Sequence, residues 1–149
     1  MTSTGGRQEA QAEITFVDTN VLVYAHDAAD PTRQRVARDL LHELWGSRAG
    51  RLSTQVLQEF YSVATRKFRP PMSPAAAREV VHAYAPWVAG SPDVALILAA
   101  SDLEQRLGLS FWDAMILEAA RRAGATRLAT EDMATGSTLA GVRLHNPFA

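Results

Sequence analysis

The stretch Phe16-Val17-Asp18-Thr19-Asn20 constrains this chain more than any other. An apolar run beginning at Ile14 precedes Asp18, and a second apolar run follows it as far as Ala25. The first run is short and β-like, whereas the second has helical rather than alternating character, so a strand hands over to a helix at Asp18. In open parallel α/β sheets, ligands bind outside the carboxyl ends of the strands, at such junctions. A carboxylate there, flanked by Thr19 and Asn20, is a candidate metal or phosphate site. The same residue types are good helix N-caps, so Asp18 also has a purely structural reading. Partners from elsewhere in the chain must decide between the two.

The composition narrows what those partners can be. A chain of 149 residues suits one domain with a core that needs no staples. It has no cysteine, which removes disulfides, thiolate metal sites and a cysteine nucleophile together. His26, His42, His82 and His145 lack the clustered spacing of a zinc site and read as surface or boundary residues. A bound metal would therefore be held by oxygen, which points to magnesium or manganese. The net charge of -1 gives no global attraction to nucleic acid. Lys67 is the only lysine among 15 basic residues, an arginine bias that fits a GC-rich genome as well as phosphate binding. The apolar run 94–100 is far short of a membrane span. The polar start of the chain has no apolar segment of signal-peptide type, so residues 1–12 are expected to be a disordered extension and the protein cytoplasmic.

Taken in order, Asp30-Pro31 starts a helix with Val36, Leu40, Leu41 and Leu44 on one face and Gly46 at its end. Arg33, Arg35 and Arg38 fall on its other faces and read as solvated. Residues 51–53 form a short strand. Ser53 or Thr54 then caps a helix to about Lys67, with Val56, Leu57, Phe60, Val63 and Ala64 as its apolar stripe. Glu59 borders that stripe, and its local pattern favours a surface role. Ser73-Pro74 opens a helix that turns Val80, Val81, Tyr84 and Trp87 inward; residues 86–90 leave room for a brief strand. A fifth helix opens at Ser91-Pro92-Asp93 and closes at Gly108. Residues 110–120 are apolar on nearly every side, as in a buried helix. Asp113 shares a face there with Ile116, Leu117 and Ala120, a costly place for an acid that meets no partner. Ser110-x-x-Asp113 also resembles a capping box, although that motif prefers Glu or Gln. Residues 126–129 read as a strand ending in Thr130-Glu131-Asp132, residues 133–140 as loop or short helix, and residues 141–145 as a last strand.

This order of strands and dominant helices predicts a single α/β domain, residues 13–149, with a central parallel sheet of four or five short strands covered by helices. Asp18 and Asp132 leave strand ends, Asp113 lies in the first turn of a helix, and Glu59 borders a helix stripe. Brought together, they would form an acidic pocket with no lysine to neutralise it. Crowded carboxylates raise one another's pKa or recruit cations, and hard oxygen ligands with a divalent metal suit phosphodiester chemistry.

On these residues the chain resembles the PIN domain, and in particular the VapC ribonuclease toxins of bacterial toxin–antitoxin pairs. The matching segments are FVDTNVLVYA (16–25), STQVLQEFYSVATRK (53–67), GLSFWDAMILEAA (108–120) and LATEDMATG (128–136), in order over residues 14–148. The resemblance implies a magnesium- or manganese-dependent endoribonuclease, homodimeric, inhibited by a cognate antitoxin protein. It puts the acidic quartet on Asp18, Glu59, Asp113 and Asp132, with Thr19, Asn20 and Thr130 as supporting positions and Glu131 beside the motif. Asp18, Asp113 and Asp132 would hold the metal, while Glu59 would orient or activate water. Arg66, Lys67 and Arg69 are candidate RNA contacts, and equally a favourable charge at a helix C-terminus. Two rivals stand beside this reading. One is a PIN-like RNA- or protein-binding module with little or no catalysis. The other is a HAD-like phosphatase, which would want an Asp where Asn20 stands.

Overall fold

The computed structural model describes residues 12–133 and 135–149. The expected N-terminal extension, all but its last residue, lies outside them. The chain folds as β1 (Thr15–Val17), α1 (Thr19–His26), α2 (Pro31–Ser47), β2 (Gly50–Arg51), α3 (Thr54–Arg66), α4 (Pro74–Tyr84), α5 (Val94–Leu107), α6 (Phe111–Arg122), β3 (Arg127–Ala129), β4 (Thr138–Leu139) and β5 (Val142–His145). Five strands form one sheet in the order β2-β1-β3-β5-β4. All neighbours are parallel except β4 and β5, which run antiparallel. The predicted α/β architecture is observed, with helices joining β1 to β2 and β2 to β3 as crossover connections require, while β3 reaches β5 through β4.

The central strands are covered on both faces. All three residues of β1 are buried, as are Leu128 and Ala129 of β3, which is the pattern of a parallel strand between two helical layers. Phe60 and Val56 of α3, Leu22 of α1 and Leu117 of α6 complete the core, each less than 2% exposed. Local signals start the helices where the sequence predicts. Asp30, Ser53, Ser73, Asp93 and Ser110 each accept a hydrogen bond from the backbone N–H three residues on, and Gly108 ends α5 in the left-handed region.

Three local expectations are corrected. Residues 133–140 include strand β4, paired to β5 through Thr138–Arg143 and Leu139–Val142; two residues are too few to show an alternating pattern. Residues 85–87 form a 3₁₀ turn, and the brief strand reduces to a single bridge from Val88 to Leu52. Helix α6 is not buried all round, since Trp112 is 63% exposed and Arg121 and Arg122 face solvent.

Candidate active site

Sheet register creates the site. Val17 of β1 pairs with Ala129 of β3, so the residues that follow, Asp18 and Thr130, emerge side by side at the carboxyl edge. Thr130 Oγ1 donates to Asp18 Oδ2 at 2.8 Å, and Asp18 Oδ1 accepts from the Thr19 N–H at 2.7 Å. Asp18 is thus both the N-cap of α1 and a member of a polar cluster, so the two readings of the sequence coexist. Because β2 and β3 flank β1 on opposite sides, this edge is the switch point where open α/β sheets hold ligands.

The neighbouring side chains extend the cluster to three more elements. Thr19 Oγ1 donates to Glu59 Oε1 at 2.7 Å, tying the first turn of α1 to α3. Glu59 therefore faces the cleft, against what its helix pattern favours, since a stripe analysis has no view of a hydroxyl on another element. Asn20 Nδ2 donates to Asp132 Oδ2 at 3.0 Å, and the Asp132 N–H donates to Thr130 Oγ1 at 3.1 Å. Asp113 sits half-buried in the first turn of α6, where its N–H donates to Ser110 Oγ at 3.1 Å. Among the described residues no hydrogen bond returns from its carboxylate to Ser110, so only half of a capping box is made and the acid remains available to the cluster.

The electrostatics tie the acids together. Burial, the largest influence, pushes the Asp18 carboxyl from its ordinary 3.8 to about 6; the Asp132 and Glu59 charges add to this, against the hydrogen bonds from Thr130 and Thr19. Asp132 is also raised, first by burial and then by the charge of Asp113, while the Asn20 hydrogen bond opposes. Each acid of the quartet therefore either repels another or shares a hydrogen-bonded neighbour with one. Among the described residues no arginine, lysine or histidine forms an ion pair with any of the four.

A divalent cation suits this donor set. It is entirely oxygen, its charge is uncompensated, and it includes a buried Asn20 Oδ1 without a hydrogen-bond partner. A buried acceptor left unpaired calls for an explanation such as an ion or its water. No three acids or histidines among the described residues stand close enough to enclose an ion by themselves. A cation held here would take water for most of its coordination shell.

Other residues fall outside the cluster. Arg66 donates to Ser62, Arg69 donates to the carbonyls of Arg66 and Phe68, and Lys67 caps α3. These serve the end of α3, about 10 Å along its axis from Glu59. Arg33, read as solvated, instead pairs with Asp30 at 3.0 Å and Glu131 at 3.4 Å and lies over the Tyr24 ring. Tyr24 Oη donates to Glu131 at 2.6 Å, a bond that pushes the phenol up to about 12. Glu131 thus anchors the turn that carries Asp132, a support that sequence reasoning missed. It also missed Glu118, buried in α6 and paired with Arg121 at 2.7 Å and Arg122 at 3.1 Å. The spacing Glu118-x-x-Arg121-Arg122 was the available signal.

Comparison with known proteins bears on the family and the fold. The PIN domain family model matches residues 15–134, a span that carries all four acids. Among solved structures, VapC20 of Mycobacterium tuberculosis, described as a toxin cleaving the sarcin–ricin loop, superposes with a TM-score of 0.60. The identity is 22%, over 79% of this chain and 89% of the other. VapBC2 of Rickettsia felis, solved on a DNA fragment of its promoter, gives 0.56 at 15% identity, over 89% of this chain and 97% of that one. No curated protein matches. At such identities the two structures speak for the fold, and the family match carries the assignment. With β1 presenting its acid beside β3, and the family model spanning both, the chain belongs to the PIN-domain family.

Proposed function

We propose that this protein is a metal-dependent endoribonuclease and the toxin of a toxin–antitoxin pair, acting in the cytoplasm as a homodimer and restrained by an antitoxin protein. The hydrogen-bonded chain from Glu59 through Thr19 and Asp18 to Thr130, Asp132 and Asn20 is the observation that carries the reading. The fold shared with VapC20 and with VapBC2 supports it. Among the described residues no helix is long and apolar enough to cross a membrane.

Asp18, Asp113 and Asp132 are the residues that would hold magnesium or manganese, with Glu59 beside them. When bound, the ion supplies Lewis-acid polarisation of the phosphodiester and a water of lowered pKa. The chain's own part is positioning. Thr130 and the Thr19 amide fix both oxygens of Asp18, and Asn20 fixes one oxygen of Asp132. Thr19 holds one oxygen of Glu59 and leaves the other free to orient water or accept its proton. Arg66, Lys67 and Arg69 are proposed to meet RNA phosphates away from the acids.

The buried, hydrogen-bonded Asp18 and the amide at Asn20 disfavour the phosphatase reading. The binding-module reading is separated by assay. Purified protein with magnesium or manganese is expected to cleave RNA, with the activity lost on chelation and reduced at least about a hundredfold in Asp113→Asn of unchanged melting temperature. Equal cleavage by Asp113→Asn, or none by either protein with any RNA, would contradict the proposal.

A further inference from the structure

We propose that the pocket between the first turns of α3 and α6 is a subsite for one unpaired nucleobase of an RNA strand, a reading that rests on the nuclease assignment above. The recess measures about 150 Å³ and is lined by Ser53, Gln55 and Gln58 on one side and by Trp112, Met115 and Arg122 on the other. Both walls adjoin the acids along the chain. Gln58 precedes Glu59, Gln55 lies one helical turn before it, and Trp112 precedes Asp113.

Two features of this pocket have no role in the fold. Trp112 is 63% exposed, and its indole meets the Phe111 ring in a T-shaped pair with centroids 5.3 Å apart. Gln55 Nε2 is buried without a hydrogen-bond partner. A nucleobase answers both, since it offers a π face to the indole and a ring nitrogen or carbonyl oxygen to the amide. Proteins that bind single-stranded RNA stack bases on aromatic side chains and read their edges in this way. Arg122 is committed to Glu118 and Asp93, so the recess offers no free cation for a phosphate and selects for the base. A base in a duplex has its faces covered by its neighbours, so the substrate class is unpaired RNA, a loop or a single strand.

The test separates binding from cleavage by working in the Asp18→Asn protein. A short, fluorescein-labelled single-stranded oligoribonucleotide is titrated and its anisotropy followed. Trp112→Ala is expected to weaken binding about tenfold, the worth of one stacked base, while Trp112→Phe stays within about threefold. Gln55→Leu weakens it less, and a duplex oligoribonucleotide binds all these proteins alike. Melting temperature and oligomeric state stay unchanged. Equal single-strand affinity in Trp112→Ala, or a loss that appears only as the oligomer dissociates, overturns the subsite; the latter assigns the indole to a contact between copies of this chain. With Asp18 intact, RNA cleavage whose KM ignores Trp112→Ala overturns the subsite and leaves the nuclease standing. Trp112-dependent binding by a protein that cleaves no RNA upholds the subsite and overturns the nuclease.

Discussion

Asp18 carries two roles on one carboxyl, and they differ in their dependence on pH. Its hydrogen bonds to Thr19 and Thr130 hold α1 and β3 at the sheet edge, while its buried charge opposes folding when no cation is present. A carboxyl raised from 3.8 to about 6 binds its proton more tightly when folded, so its ionisation costs stability as pH rises through that window, by about 3 kcal/mol above it. Asparagine keeps the Thr19 bond through its Oδ1 and reverses the other, its Nδ2 donating to Thr130 Oγ1, without the charge. In chelator, Asp18→Asn is therefore expected to be more stable than the native protein above pH 6, with the gap closing towards pH 4 in denaturant titrations at successive pH values. A gap that is constant with pH would show that the carboxyl ionises freely. The sequence could place this acid at a strand end because the strand-to-helix change in periodicity is local. It could not choose between cap and ligand, since that choice depends on Thr130, more than a hundred residues away in the chain.

At the scale of elements, two contacts fasten neighbouring segments to one another. Gly50 of β2 packs under the Trp87 ring so closely that an added Cβ would lie 2.5 Å from it. Trp87 is buried against Tyr84 and Trp45 and has little room to yield. Gly50→Ala is expected to cost about 3 kcal/mol in denaturant unfolding, as overpacked sites do; a change under 0.5 kcal/mol would mean the ring can turn aside. Glu118 fastens α6 to the start of α5 through Arg122 and Asp93. Arg121, ahead of Arg122, holds its carboxyl below the ordinary 4.5. Its contribution is therefore full above that value and is lost as pH falls through the lowered one. Glu118→Gln is expected to cost about 2 kcal/mol at pH 7, with the difference shrinking in acid; a deficit that persists in acid would place the cost in packing. Helix boundaries were legible throughout because caps and prolines mark them locally. Strand β4 and the exposure of Trp112 were not, because partners distant in sequence decide them.

For the whole molecule, the sheet order does what no single motif can. It sets β1 between β2 and β3, and the short strands place two acids at one edge, to which α3 and α6 bring Glu59 and Asp113. The sequence carried the acids and their order; it could not carry their convergence, which belongs to the register of β1 on β3. The central claim is that acids from separate elements form one cation centre. A crystal soaked in manganese and measured at a wavelength where manganese scatters anomalously tests it most directly. The account predicts a peak among Asp18, Asp113 and Asp132, absent from Asp18→Asn crystals treated alike. A peak elsewhere, or one that survives the substitution, would contradict it.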